Sequence, residues 1–265
     1  MAETNIKNTG AATPITSGGT LLWGFPFLHV LTVAIVYFVG STLPALPAVF
    51  AQIESGAAGD PELSSLTVAL TVMVGMALGL LMSWFWLKRE GVVGEAWNLS
   101  TPPVSWGRTI GWAAAATLVI FLIFGLGGAA VDALGLGAPD PGFVLDLVTE
   151  SPAMFAVWII GVAILAAGAG EELLYRGFLM DRLSRVAGLR DKIWLVIIIQ
   201  AVLFGLPHAY QGWGGVVVTG TVGLFFGWLR VRMNGNLWAC IIAHAAVDVL
   251  AMSLAYAEKL GWLSV

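Results

Sequence analysis

Six polar side chains of the types that carry out acid–base chemistry lie in otherwise apolar parts of the sequence. They occur in the segments GAGEELLYRGFL, LFGLPH and AHAAVD. The six residues are Glu171, Glu172, Arg176, His208, His244 and Asp248. Ionisable groups inside a bilayer are costly and tend to mark functional sites. If these segments cross a membrane, the six residues are therefore the candidate site.

The spacing of these residues predicts local pairs on helix faces. Three pairs are separated by four residues, namely Glu172 with Arg176, Phe204 with His208, and His244 with Asp248. Side chains four apart lie on one face of an α-helix. Glu171 is rotated by about 100° from Glu172 in an α-helix, which points the two carboxylates in different directions.

Two kinds of hydrolytic chemistry fit this set of side chains. A carboxylate and an imidazole can deprotonate a water, and a second histidine with an acid can stabilise an oxyanion. Alternatively, two imidazoles and carboxylates can bind Zn²⁺ or another divalent metal, which lowers the pKa of a bound water to about 7. The candidate metal ligands are Glu171, His208, His244 and Asp248. No HExxH or GxSxG motif occurs, so the common zinc-protease and serine-hydrolase arrangements are absent from the sequence.

The composition excludes most classes of soluble protein. Of 265 residues, 11% are charged and 58% are hydrophobic, and the net charge is −4. Soluble domains carry about 25% charged residues, and a nucleic-acid binder would need a basic excess. The single cysteine, Cys240, excludes a disulfide framework. We therefore predict a polytopic membrane protein with no nucleic-acid partner.

The apolar runs predict helices rather than a β-barrel. The run from Ser64 to Leu87 contains no charged residue, and about 20 apolar residues suffice to cross the bilayer core as a helix. Barrel strands instead alternate apolar and polar residues. We predict an all-α transmembrane bundle of about seven spans, at 21–43, 64–87, 109–129, 151–180, 192–208, 212–229 and 237–256. Pro44 and Pro47 are expected to end the first span.

Charge alternates from loop to loop along the chain. The loops after spans two, four and six contain Lys88, Arg89, Arg108, Arg182, Arg185, Arg190, Lys192, Arg230 and Arg232. The loops after spans one and three contain Glu54, Asp60, Glu62, Asp132, Asp140, Asp146 and Glu150, and no Lys or Arg. By the positive-inside rule, the first set and the amino terminus are cytoplasmic. The pattern resembles that of a prokaryotic cytoplasmic (inner) membrane protein.

The predicted organisation follows from the spans. A disordered tail (1–20) precedes three amino-terminal spans and an external loop (21–149). The six candidate residues fall in the helical core (150–256), which is followed by a carboxy-terminal tail (257–265).

The three motifs together resemble the CPBP family of intramembrane proteases, which includes type II CAAX prenyl endopeptidases and bacterial Abi or bacteriocin-processing relatives. The family pattern is EExxxR, then FxxxH, then HxxxN or HxxxD. This chain has Glu171 to Arg176, Phe204 to His208, and His244 to Asp248 in that order. The resemblance covers about residues 150–255.

The resemblance implies a role for each motif. Glu171 would be the catalytic carboxylate and would activate the water with His208, while His244 and Asp248 would stabilise the oxyanion. Glu172, Arg176 and Phe204 would shape the site. An ionised Asp248 cannot donate a hydrogen bond, so it would be protonated, orient His244 or bind a metal. The expected partners are the lipid bilayer and a peptide or membrane-protein substrate, and the oligomeric state is left open.

A second, non-catalytic class of function is also compatible with these residues. The Glu172–Arg176 pair can simply lock helices, and intramembrane histidines can serve as helix–helix hydrogen bonders. The alternative is then a non-catalytic membrane immunity factor, a scaffold or a small transporter with a retained polar core. A transporter more often shows inverted repeats, and the sequence has no such symmetry.

Overall fold

The protein is a bundle of apolar helices. A computed structural model describes residues 19–56 and 58–263, and within these ranges it contains no β-strand. The helical segments, in chain order, are α1 (Gly24–Thr42), a 3-10 turn (Leu43–Ala45), α2 (Leu46–Ser55), α3 (Ser65–Arg89), α4 (Val93–Ala96), α5 (Trp106–Leu122), a π-helical turn (Ile123–Gly127), α6 (Gly128–Ala133), α7 (Gly142–Val148), α8 (Pro152–Val157), a long π-helix (Trp158–Leu179), α9 (Met180–Ser184), α10 (Ile193–Gly205), a 3-10 connection (Leu206–Gln211), α11 (Gly212–Arg232) and α12 (Trp238–Lys259). The predicted all-α membrane fold is confirmed.

In the part of the chain that the structure describes, six continuous helical stretches are long and apolar enough to cross a membrane. They are Gly24–Ser55, Ser65–Arg89, Trp106–Ala133, Pro152–Ser184, Ile193–Arg232 and Trp238–Lys259. The fifth stretch is a hairpin of α10 and α11, because a Cβ added at Gly205 would lie 2.6 Å from the Val216 carbonyl oxygen and one at Gly223 would lie 2.9 Å from Ala201 Cα. The helices of this hairpin are therefore antiparallel, and the prediction of about seven spans is close. The cytoplasmic placement of the amino terminus stays a prediction.

The prediction that Pro44 and Pro47 end the first span is wrong. The helical stretch continues through the 3-10 turn into α2 and ends at Ser55. Each proline lies in the first turn of its segment, where its missing N–H group has no hydrogen bond to lose. The prolines therefore change the helix geometry without stopping the helix.

The predicted tails lie only partly within the described residues. Residues 1–18 are outside them, whereas Arg185 donates a hydrogen bond to the Gly19 carbonyl at 3.0 Å and Arg190 donates to the Thr20 hydroxyl at 3.0 Å. At the other terminus, α12 continues to Lys259, so the predicted tail (257–265) begins inside this helix. Residues 264 and 265 are outside the described residues.

A buried ion network holds the Arg-rich end of the bundle together. Arg182 donates to Glu90 at 2.7 Å and to Asp181 at 2.5 Å, and Arg185 also donates to Glu90. Burial raises the pKa of Glu90, but hydrogen bonds to Arg182 and the positive charges of Arg182 and Arg185 outweigh it, so the pKa lies below 4.5. The network joins the end of α3 to α9, the helix that follows the long π-helix. It thereby fixes one end of the segment that carries Glu171.

Candidate active site

The long π-helix brings both glutamates of the first motif to the same histidine. Glu172 Oε1 lies 2.8 Å from His244 Nδ1, and Glu171 Oε2 lies 3.9 Å from His244 Nε2. The expectation that the two carboxylates point in different directions is therefore wrong. A π-helix closes its hydrogen bonds over five residues instead of four, so consecutive side chains diverge less than in an α-helix. The two glutamates thus face the two ring nitrogens of one imidazole.

Glycines let the π-helix come close to its neighbours at the level of the site. A Cβ at Gly168 would lie 2.7 Å from the Cβ of Ala245, the residue next to His244. A Cβ at Gly170 would lie 2.5 Å from Met76 on α3. Contacts this short are not sterically allowed for side-chain atoms. The absence of a side chain at Gly168 therefore permits the close approach of the π-helix to α12 beside His244, and its absence at Gly170 permits the approach to α3.

The inner part of the site is a closed ionic triad. Arg176 Nη1 donates to Glu172 Oε1 at 2.9 Å, and the side chains of Arg176 and Glu172 are fully buried. The Arg176 guanidinium also lies over the rings of Phe204, at 4.0 Å, and Phe226, at 4.9 Å. Since a carboxylate accepts hydrogen bonds, His244 Nδ1 is the donor to Glu172. The triad therefore fixes the orientation of His244 and keeps a proton on its Nδ1 atom.

His208 lies just beyond α10, in the 3-10 connection to α11. Its Nδ1 atom is 3.0 Å from the Phe204 carbonyl oxygen. Because a carbonyl only accepts, Nδ1 carries the proton in this arrangement. The Nε2 atom is then left with a free lone pair. Phe204, four residues before His208, therefore positions the His208 imidazole through its backbone carbonyl as well as through its phenyl ring.

The outer part of the site combines carboxylates and imidazoles from three elements. Asp248 Oδ2 lies 3.8 Å from His244 Nε2, close to Glu171 on the same side of that ring. The Phe204 ring lies between the two imidazoles, 5.3 Å from the ring of His208 and 6.1 Å from that of His244. The structure therefore gathers all of the predicted site residues around His244 and Phe204.

Two aromatic residues of the site had no place in the sequence prediction. Phe226, on α11, stacks on His244 with a centroid separation of 5.4 Å. Tyr175 packs edge-on against Phe204 at 5.1 Å, and it interacts electrostatically with Glu171. Tyr175 lies within the EExxxR motif, so the sequence could have identified it as a residue of the site. Phe226 lies in a uniformly apolar helix, where nothing distinguishes it from a core residue.

The side chains as they lie do not form a metal-binding group. Carboxylate oxygens of Glu171 and Asp248 lie 3.8–3.9 Å from His244 Nε2. In residues 19–56 and 58–263, however, no group of three His, Cys, Asp or Glu side chains is arranged to hold a metal ion. A bound metal therefore stays a prediction.

The fold and this cluster define a helical integral membrane protein with an acid–base site within its spans. Residues 152–250 match the model of the type II CAAX prenyl endopeptidase Rce1-like family. This region contains all three motifs, and the match supports the resemblance to the CPBP family of intramembrane proteases. Comparison with curated proteins and with solved structures gave no match.

Proposed function

We propose that the protein is an intramembrane endopeptidase of the glutamate type, in which Glu171 and His208 activate water. The observation that supports this most is the pair of environments around the two imidazoles. His208 has one ring nitrogen that its hydrogen bond to the backbone leaves free. His244 is hydrogen-bonded to Glu172 through Nδ1, and carboxylate oxygens of Glu171 and Asp248 lie 3.8–3.9 Å from its Nε2 atom. Such a pair supplies a base and a hydrogen-bond donor, which are the two groups that hydrolysis of an amide needs.

The first step is the addition of water to the scissile carbonyl. A water between Glu171 and His208 gives its proton to His208 Nε2 while the Glu171 carboxylate accepts a hydrogen bond from it, and the water oxygen forms a bond to the carbonyl carbon. The C=O π electrons move to the carbonyl oxygen, which becomes the oxyanion of a tetrahedral intermediate. His208 suits the role of base because its Nδ1 proton is held by the Phe204 carbonyl. Its Nε2 lone pair is thereby free for the water.

The second step is the collapse of this intermediate. His244, carrying protons on both ring nitrogens, donates from Nε2 to the oxyanion, while Glu172 accepts from Nδ1 and keeps the ring in place. An ionised Asp248 acts through His244, because it lies 3.8 Å from Nε2 and has no proton of its own to donate. The C–N bond then breaks and its electrons stay on nitrogen, which takes up the proton that the base removed from water. The products are a carboxylate and an amine.

We expect His208→Gln to lower the hydrolysis rate by about 10²- to 10⁴-fold, the usual contribution of a general base. Glutamine fills similar space but has no basic ring nitrogen. The assay uses purified protein in lipid vesicles and a proteome-derived peptide library, with new peptide termini identified by mass spectrometry. The matched control is His29→Gln, since His29 is buried against Trp86 at the Arg-rich end and outside the site.

The outcome of this assay separates the endopeptidase from the non-catalytic alternatives. If folded wild-type protein produces no more new termini than empty vesicles, an immunity factor, scaffold or transporter is the better description. If wild-type and His208→Gln proteins cleave at equal rates, His208 is not the base. Thermal unfolding in detergent shows whether each variant is folded.

The role of a metal is tested by removing it. We expect wild-type protein that is metal-free by elemental analysis, after dialysis against a chelator, to keep its hydrolysis rate within about twofold, because water activation by Glu171 and His208 needs no ion. The control is the same protein dialysed without chelator. Loss of activity that added Zn²⁺ restores would instead assign Glu171, His208, His244 and Asp248 as ligands, with Zn²⁺ acting on the water.

A further inference from the structure

Three of the four tyrosines in the chain lie around Glu171. Tyr37 on α1, Tyr175 on the long π-helix and Tyr210 in the 3-10 connection each interact electrostatically with the Glu171 carboxylate. Tyr210 is 54% exposed and accepts a hydrogen bond from its neighbour Gln211 at 2.9 Å. Tyr37 and Tyr175 are more buried than Tyr210 and also interact with each other. We call Tyr37 and Tyr175 the tyrosine pair, and neither takes part in the proposed catalytic steps.

The packing of α1 directs the Tyr37 side chain toward the π-helix. Val33, one turn before Tyr37 and on the same helix face, belongs to a buried apolar cluster with Phe178 of the π-helix. The ring of Tyr37 lies against Gly79 of α3, where an added Cβ would be 3.3 Å from Tyr37 Cδ2. Because α3 has no side chain at this position, the Tyr37 ring can lie beside the α3 backbone on the side of the π-helix.

The Tyr37 ring lies at the depth of Glu171 in the bundle. Met76 lies in the same turn of α3 as Gly79, and it packs against the π-helix immediately before Glu171. Tyr37 is also near the middle of the first membrane-spanning stretch (Gly24–Ser55). Tyrosines that anchor a helix at the membrane surface lie near the ends of a span. The position of Tyr37 is therefore that of a site residue and not of an interfacial anchor.

The hydroxyl groups of the tyrosine pair are available to bind a ligand. Within residues 19–56 and 58–263, neither hydroxyl forms a hydrogen bond with another side chain or with the backbone. Both side chains are partly exposed. Tyr175 packs edge-on against Phe204 at 5.1 Å, and the Phe204 ring also lies 5.3 Å from that of His208. A polar group inside a membrane protein is costly without a partner, so these hydroxyls indicate a partner that binds at the site.

The other polar groups around Glu171 do not supply hydrogen bonds for the backbone of a substrate. Asp248, when ionised, only accepts hydrogen bonds, and His208 presents the lone pair of Nε2. His244 gives its Nε2 proton to the oxyanion in the proposed mechanism, and Arg176 is fully buried. A polypeptide in the site brings backbone carbonyls on both sides of the scissile bond, and these carbonyls lose their water there. Among the described residues around Glu171, the phenol hydroxyls are the donors that remain for them.

We propose that Tyr37 and Tyr175 are substrate-binding residues whose hydroxyl groups donate hydrogen bonds to backbone carbonyls of a polypeptide on either side of its scissile bond. The proposal rests on the endopeptidase function proposed above. Since the acceptors belong to the backbone, the tyrosine pair binds peptides of different sequence and holds the scissile carbonyl beside Glu171. Tyr37 lies outside residues 152–250, which match the family model. The first helix of the bundle therefore contributes to the substrate site.

Removal of each hydroxyl tests the proposal. We expect Tyr37→Phe and Tyr175→Phe each to raise KM by about 3- to 10-fold, the size of one neutral hydrogen bond. We expect kcat to stay within about twofold, because this hydrogen bond is made equally to substrate and transition state. The assay uses purified protein in lipid vesicles and a peptide that the wild-type protein cleaves. The matched control is Tyr256→Phe, since Tyr256 stacks on Phe155 at 4.4 Å outside the site, and we expect its KM to equal that of the wild type.

A change in the substrate identifies the acceptor. In the cleaved peptide, each carbonyl within two residues of the scissile one is replaced in turn by a thiocarbonyl, whose sulfur is a weaker hydrogen-bond acceptor. We expect at least one replacement to raise the wild-type KM by about 3- to 10-fold. The same replacement is expected to have no further effect on Tyr37→Phe or on Tyr175→Phe, because in one of these variants the hydrogen bond is already absent.

Several outcomes would overturn the proposal and leave the endopeptidase function standing. The first is a KM within twofold of the wild type in both phenylalanine variants, when thermal unfolding in detergent shows that they are folded. The second is that no thiocarbonyl replacement changes the wild-type KM, a result that does not depend on the folding of any variant. The third is a loss of kcat at constant KM, which would place the hydroxyl in the chemical step. If folded wild-type protein cleaves no peptide at all, the endopeptidase function fails and this proposal fails with it.

Discussion

Glu171→Gln is expected to lower the rate of peptide hydrolysis by about 10²- to 10⁴-fold and to leave the protein folded. Glutamine preserves the size and one oxygen of the side chain, but it removes the negative charge of the carboxylate that holds and activates the water together with His208. The measurement is the initial rate of appearance of new peptide termini in reconstituted vesicles.

The control for this substitution is Glu150→Gln. Glu150 is an exposed residue just before α8, so its neutralisation changes the net charge equally and leaves the site untouched. We expect its rate to equal that of the wild type. If Glu171→Gln retains more than a tenth of the wild-type rate while folded, the Glu171 carboxylate does not activate the water.

Much of the fold could be predicted from hydropathy, because each apolar run is long enough to satisfy its own backbone as a helix. The same four-residue spacing that identified Glu172 and Arg176 as a pair corresponds to a hydrogen bond of 2.9 Å in the structure. The resemblance to the protease family could also be predicted, since its motifs are short and each lies in one local segment of the chain. These predictions depend only on local sequence.

The direction of Glu171 could not be predicted in the same way. In a membrane, equally apolar sequences can form a π-helix or an α-helix. Hydropathy therefore does not distinguish backbone hydrogen bonds that span five residues from those that span four. The role of Phe226 could not be predicted either, because its contact with His244 is made between two different helices, α11 and α12. The prediction from the prolines after α1 was wrong because proline breaks a helix in the interior of that helix but is tolerated in the first turn of a helix.

Arg176→Met is expected to cause the largest loss of stability of any single substitution in the site. Methionine replaces much of the buried volume over Phe204 and Phe226 but leaves the Glu172 carboxylate, which is fully buried, with His244 as its remaining partner. Breaking a buried ion pair by removing one partner costs about 3–5 kcal/mol. We expect a loss of this size in the free energy of unfolding, measured by equilibrium denaturation in detergent micelles.

The matched control is Arg190→Met, because Arg190 is a partly exposed arginine that bonds the Thr20 hydroxyl. We expect it to cost no more than about 1 kcal/mol, as exposed charged contacts usually do. If Arg176→Met is as stable as Arg190→Met, the Glu172–Arg176 pair does not hold the helices together.

The double variant Glu172→Gln/Arg176→Met separates stability from catalysis. It removes both buried charges, and neutral replacement of a buried ion pair is often tolerated, so we expect most of the lost stability to return. The glutamine introduced in place of Glu172 still offers an oxygen to His244 Nδ1 but carries no negative charge. If the double variant is stable yet its kcat falls at unchanged KM, Glu172 acts as a positioning residue whose charge holds the His244 proton. If both stability and kcat return to wild-type values, the pair serves only to join the helices, and the donor role of His244 does not depend on it.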